Sequence, residues 1–170
     1  MTNTQLRSQL KLLQKGDMDA FEQLYSNLSR PLFTVILRIV NDRSTAEDIL
    51  QEFFVKLYQS PPSSTIRNPR AYLFQTARNL AIDSIRVQHP SVPLEDLAFQ
   101  SARESDLHLA MDVSTALSHL PQTQRQVVSL HLDGGLKFRE IAQITGSPLG
   151  TVLWRYRQAL GKLRTLLGGN

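Results

Sequence analysis

The sequence predicts an all-α protein of two small helical domains joined by a flexible linker, the second domain containing a helix-turn-helix. Three observations predict it. Apolar residues recur every three or four positions along most of the chain, while alternating strand patterns are nearly absent. Glycine, proline and capping residues punctuate these segments at intervals suited to helices of ordinary length. The periodicity then fails once, where His89, Pro90, Ser91, Val92 and Pro93 are followed by scattered acids. That stretch reads as a tether, giving expected bounds of 1–88 for the first domain, 89–105 for the linker and 106–170 for the second. Each half is small, so each core is expected to be only marginally stable alone.

The elements follow in order. A first helix over residues 4–15 carries Leu6, Leu10 and Leu13 and stops at Gly16. Asp17 caps a longer second helix bearing Phe21, Leu24, Tyr25, Leu28, Leu32, Val35, Ile36 and Ile39, with Pro31 as a candidate kink. Ser44 and Glu47 have the spacing of a capping box for a third helix ending near Gln59. Residues 60–64 form a loop by composition. Asn68 and Pro69 then make a cap and first-turn pair for a fourth helix running to about Val87. Beyond the tether, helices are expected over residues 106–119, 122–133, 137–145 and 148–167. Gly134, Gly135 and Gly146 mark the breaks between the last three.

Composition narrows the function. Of the residues 41% are apolar and 20% charged, the balance of a globular protein. No apolar run approaches the roughly 20 residues needed to span a bilayer. The first residues lack the basic and apolar segments of a signal peptide, so a cytoplasmic protein is expected. With no cysteine, disulfides and thiolate metal sites are excluded. The net charge of +4 is unevenly spread. Residues 1–60 hold seven cations and seven acids, residues 61–90 four and one, residues 91–112 one and five, and residues 113–170 seven and two. Two basic blocks held apart by an acidic one fit two contacts on a nucleic acid, or merely two solvated faces.

In the C-terminal half, residues 138–152 have the requirements of a helix-turn-helix. Ala142 is small enough for a helix crossing, Gly146 tolerates a left-handed turn, and Val152 returns an apolar side chain to the first helix. Ser147 and Pro148 supply a cap and a first turn. On a helical wheel Leu149, Val152, Tyr156, Leu160 and Leu163 form the core face. Ser147 at the helix start, with Thr151, Trp154, Arg155, Gln158 and Lys162 on the other face, offers phosphate-seeking cations and groups able to read base edges. An exposed indole at Trp154 suits a thymine methyl or the sugar-phosphate edge, or equally a protein surface.

The N-terminal half shows two further faces. On the third helix Ala46, Ile49, Leu50, Phe53 and Leu57 form the core arc. The opposite arc carries Asp48, Gln51, Glu52 and Val55, flanked by Phe54 and Tyr58. Interleaved polar and apolar groups there suggest a protein-binding surface, unless Phe54, Val55 and Tyr58 are covered by the preceding helix. On the fourth helix Leu73, Ala77, Leu80 and Ala81 face inward. Tyr72, Gln75, Asn79 and Arg86 face out, with Arg67, Asn68 and Arg70 at the helix start. One aromatic ring among amides and guanidinium groups is the chemistry for holding unstacked bases.

Along nearly its whole length the chain resembles the extracytoplasmic-function group of bacterial RNA polymerase sigma factors. GDMDAFEQLY (16–25) is similar to the opening of the family, and AEDILQEFF (46–54) to its polymerase-binding helix. NPRAYLFQTARNLAID (68–83) is similar to the segment that opens and reads the −10 element, and LPQTQRQV (120–127) leads into the −35-binding helix-turn-helix. The resemblance implies that Asp48, Gln51, Glu52 and Val55 contact core RNA polymerase. It implies that Arg67, Asn68, Arg70, Tyr72, Gln75, Asn79 and Arg86 hold −10 DNA. Ser147, Thr151, Trp154, Arg155, Gln158 and Lys162 would meet the −35 duplex. It further implies an anti-sigma partner, no cofactor and no reaction of the chain's own. Two departures stand out: Leu153 and Trp154 replace a cation and a small polar residue, and Val87, Gln88 and His89 make the end of the fourth helix less basic than in many relatives.

Two rivals stay open on sequence alone. A DNA-binding regulator with an N-terminal sensing or dimerising domain accounts for the second half but not for the two faces of the first. A helical adapter leaves both basic faces unused. An enzyme is disfavoured: His89, His108, His119 and His131 lack metal-ligand spacing, and no phosphate loop or nucleophile elbow is present.

Overall fold

The computed structural model describes residues 1–88, 90 and 112–168. Among them there are eight helices and no strand. They belong to two compact units, Met1–Ile85 and Arg86–Asn170. Apart from Pro90, the expected tether lies outside the described residues.

The first unit contains α1 (Asn3–Gln14), α2 (Met18–Val40), α3 (Arg43–Gln59) and α4 (Pro69–Gln88) as far as Ile85. Thr2 and Gln5 cap α1 reciprocally: Gln5 N–H donates to Thr2 Oγ1 (3.2 Å) and Thr2 N–H to Gln5 Oε1 (2.8 Å). Gly16, at φ +83°, turns the chain into α2, where Asp17 accepts from the Ala20 N–H (3.1 Å) as its sequence predicts. Pro31 lies inside α2, which runs on to Val40 and ends at a left-handed Asn41. Leu6, Leu10 and Leu13 of α1 are buried along with Leu24, Leu28, Leu32, Ile36 and Ile39 of α2. Each such side chain contributes about 1.5–3 kcal/mol of hydrophobic stabilisation.

The capping box expected at Ser44 is not formed. Asp42 caps α3 instead, accepting from both the Thr45 N–H (2.8 Å) and its hydroxyl (2.6 Å). The Thr45 hydroxyl first, and its N–H second, hold the Asp42 carboxyl below its ordinary pKa. Glu47 pairs with Arg43 on the surface (3.0 Å). Asn68 does cap α4, its Oδ1 accepting from the Ala71 N–H (3.1 Å).

The second unit contains α5 (Val113–Ser118), α6 (Gln122–Leu132), α7 (Phe138–Thr145) and α8 (Leu149–Leu166). Asp112 caps α5; the residues 106–111 expected to begin that helix lie outside the described residues. Leu117, Leu120, Val128 and Ala159 form a buried cluster against which Tyr156 and Leu163 pack. His131, Phe138 and Tyr156, one from each of α6, α7 and α8, form a three-ring contact with centroids 4.2–5.3 Å apart. The turn between α7 and α8 is as predicted: Gly146 has φ +67°, and the N–H groups of Gly146 and Ser147 both return to the Ala142 carbonyl.

Candidate functional site

Three surfaces carry the residues singled out by sequence. On α3, Asp48, Gln51 and Glu52 are all exposed, as is Val55. Glu52 is paired with Lys56 one turn on (2.9 Å), a surface contact of little energetic weight. Phe54 is a correction: it is buried, packing edge-on against Phe21 and Phe53 and tilted against Tyr25. Tyr58 stays half-exposed with its ring against Phe21 (5.5 Å). Leu50, expected in the core, is only half-buried, because it stands at the edge of the arc centred on Ala46, Ile49 and Phe53.

The second surface is the outer side of α4 with the loop before it. Tyr72, Gln75, Asn79 and Arg86 are exposed together. Leu73, Phe74, Ala77 and Ala81 are buried beneath them, and Leu80 is half-buried at the border rather than core. Tyr72 and Thr76 help to line a cavity of about 260 Å³, whose other walls include Phe53, Leu57, Ser60 and Pro62. A polar rim over an apolar floor, below the ~300–1,000 Å³ of drug-sized sites, suits one planar base. The start-of-helix residues are more occupied than the sequence suggests. Asn68 is engaged as a cap, the Arg70 guanidinium lies over the Phe74 ring (5.1 Å), and the Arg67 carbonyl accepts from Arg7.

The third surface is on α8. Trp154 is 57% exposed, and with Gln158 and Lys162 it forms an open face. Thr151 is half-buried at its edge. Arg155 is half-buried as well, because its Nη1 donates to Ser147 Oγ (2.9 Å). Ser147 is therefore no cap; Pro148 occupies that position without a side-chain bond. The core face also differs: Leu160 is 39% exposed, and Ala159 is buried in its place. Sequence reasoning missed Arg157, which is exposed about 60° around the helix from Trp154 and lines an open cleft with His119, Gln158 and Lys162. Its angular position was the available signal. Among the described residues no group of three or more His, Cys, Asp or Glu side chains could hold a metal.

An exposed face of one aromatic ring, amides and a guanidinium on one helical unit, and a helix-turn-helix on the other, define a two-unit protein that is all-helical among the described residues. The family comparisons make this specific. Residues 24–90 match sigma-70 region 2, and residues 110–163 match sigma-70 region 4. SigW of Bacillus subtilis (strain 168), an ECF RNA polymerase sigma factor, is 30% identical over 178 residues, covering 92% of this chain and 95% of its own. SigM of the same organism is 31% identical over 156 residues, covering 86% and 94%. SigK of Mycobacterium ulcerans (strain Agy99) is 29% identical over 176 residues, covering 95% and 93%. The chain belongs to the extracytoplasmic-function group of RNA polymerase sigma factors. It is a regulatory transcription initiation factor that directs promoter-specific initiation by RNA polymerase.

Among solved structures, the sigma factor RpoE of Bartonella quintana, in complex with the anti-sigma factor NepR, matches with a TM-score of 0.66 and 26% identity. The match covers 87% of this chain and 96% of that one. CnrH, in complex with the cytosolic domain of CnrY, matches with a TM-score of 0.69 and 21% identity over 96% and 97% of the chains, a likeness of fold. No helix among the described residues is long and apolar enough to cross a membrane.

Proposed function

We propose that the chain divides its work among the three surfaces. Asp48, Gln51, Glu52 and Val55 of α3 bind core polymerase. Tyr72, Gln75, Asn79 and Arg86 of α4, with Arg67, Asn68, Arg70 and the cavity before them, capture an unstacked base of the −10 strand. Thr151, Trp154, Arg155, Gln158 and Lys162 of α8 meet the −35 duplex, with Ser147 behind Arg155. The observation that supports this most is the cavity of about 260 Å³ under an exposed tyrosine: its mixed apolar and polar lining suits a flipped base.

On this reading residues 1–88 and 106–170 are the working domains and residues 89–105 tether them. The chain has no chemistry of its own; the polymerase supplies it, and the factor works in the cytoplasm. Both solved relatives are held by a partner, NepR in one case and the cytosolic domain of CnrY in the other, which supports an anti-sigma partner for this chain too.

Run-off transcription with core polymerase on a promoter-fragment library tests the division. Changing Gln51 and Glu52 to alanine should weaken core binding, while Tyr72→Ala should leave binding intact but block strand opening. Arg155→Ala should weaken only the duplex contact. If all three fail at the same step, the division is wrong.

A further inference from the structure

The loop between α3 and α4 is polar, carries two prolines and has few apolar anchors. It is nevertheless tied down from far away in sequence. Gln14 Nε2 donates to the Pro62 carbonyl (2.9 Å), and Arg7 Nε donates to the Ile66 carbonyl (3.2 Å). A second Arg7 N–H donates to the Arg67 carbonyl, and Asn3 Oδ1 accepts from the Arg70 N–H (3.0 Å). All three side chains come from α1. Positions 3, 7 and 14 fall within about 40° of one another on a helix, so they form one polar seam beside the apolar seam of Leu6, Leu10 and Leu13. The apolar seam is buried in the unit's core; the polar one grips the loop.

What it grips matters, because Pro62 is a wall of the cavity that Tyr72 overhangs. We propose that α1 is a brace for base capture: Arg7 and Gln14 are positioning residues that set the cavity wall before DNA arrives. The proposal rests on the reading of that cavity as the base-capture site. Left untied, the loop would have to be ordered at the moment of capture, and that entropy would be subtracted from the binding of the base. Neither side chain needs to touch DNA. Internal contacts, such as the Ser63 and Thr65 hydroxyls at 2.7 Å and the Ile66 N–H to the Ser63 carbonyl at 3.3 Å, shape the loop but do not fix it to the unit.

The test uses the full chain bound to core polymerase and a single-stranded −10 oligonucleotide carrying 2-aminopurine at each position in turn, its sequence chosen from the run-off library. The variants are Arg7→Met, Gln14→Leu, the pair, Arg7→Lys, and Tyr72→Ala as a check on the underlying reading. Hydrogen exchange of the residue 60–68 amides is followed without DNA. The pair should bind core polymerase and the −35 duplex normally, exchange its loop amides faster, and capture the base on the order of tenfold more weakly. Arg7→Lys, which keeps one donor, should fall between wild type and Arg7→Met. Wild-type capture by the pair overturns the brace. So does a loss accompanied by weaker core binding or a lower melting temperature, which would mean that α1 acts through the fold. If Tyr72→Ala captures as wild type does, the base-capture reading itself fails, whatever Arg7 and Gln14 do.

Discussion

Arg125 offers the sharpest test of how the second unit is held together. It is 1% exposed, and its guanidinium serves the turn between α5 and α6. Nη1 donates to the carbonyls of Ser118 and Leu120, each at 3.3 Å, and Nη2 donates to Oε1 of the fully buried Gln122. Arg125→Met fills similar space and removes all three bonds. A bond to a charged donor contributes about 1.5–3 kcal/mol, and the 3.3 Å lengths place the two carbonyl bonds at the weak end. Each acceptor left dry costs about 1–3 kcal/mol, while losing a buried charge recovers part of its desolvation. The balance is a loss of about 2–4 kcal/mol.

A small domain has roughly 5 kcal/mol in all, so this change removes most of the unit's stability. Urea denaturation of the full chain, read by hydrogen exchange over residues 112–168, measures it. Exchange in α5, α6 and α8 should rise sharply, while α1–α4 stay protected. Arg125→Lys should rescue little, since an ammonium lacks the planar fork that reaches two carbonyls and an amide at once. A loss below about 0.5 kcal/mol for the methionine variant, or full rescue by lysine, would refute the assignment of this guanidinium as the clasp of the turn.

The remaining predictions concern the surfaces and one cap. Changing Gln51 and Glu52 to alanine should weaken co-purification with core polymerase without shifting the melting temperature, because both are exposed. Tyr72→Ala should weaken −10 strand binding by about 1–3 kcal/mol, the worth of one stacked base, as read by anisotropy with single-stranded DNA. Replacing −35 thymines by deoxyuracil should weaken wild-type binding by about fourfold per methyl contacted, and Trp154→Ala should be indifferent to the change. Asp42 has a depressed folded pKa, so its contribution is present above the unfolded value of about 3.9 and is lost as pH falls through the folded one. Stability curves of wild type and Asp42→Ala should therefore converge on acidification, and a constant gap would refute the role of the charge.

Much of the fold was legible because helices have a period and their ends have a chemistry. Asp17, Gly16, Asn68 and Gly146 each do what their residue type predicts. Where the reading failed, two local rules competed. Ser44 and Glu47 match a capping box, but Asp42 lies two residues earlier and Thr45 gives it two donors, while Arg43 takes Glu47. On α8 the wheel put Leu160 on the core face, yet Leu160 stands at the edge of that arc and is 39% exposed, while Ala159 is buried with Leu117 and Leu120. Arg125 was counted in a basic block because charge arithmetic does not show that backbone carbonyls can satisfy a guanidinium. The hydrogen bonds from α1 to the loop join residues 48 to 67 positions apart, and no periodicity reports such pairs.

The two surfaces proposed to meet DNA differ in how firmly they are set, and the difference fits the role proposed for each. On α8 the outer side chains Trp154, Gln158 and Lys162 stand free, and only Arg155 is tied, to Ser147. A duplex presents its phosphates and groove edges without rearranging, so mobile cations can find them and lose only side-chain entropy. Capturing a −10 base instead requires unpairing and unstacking, which costs a few kcal/mol before any contact is made. That cost is offset only if the receiving site spends nothing on its own ordering. The cavity beside Tyr72 has its floor in the buried core and its loop wall held at Pro62, Ile66 and Arg67 by a separate helix. On the proposed division of work, rigidity is thus concentrated where the DNA would deform, and freedom is left where it would not.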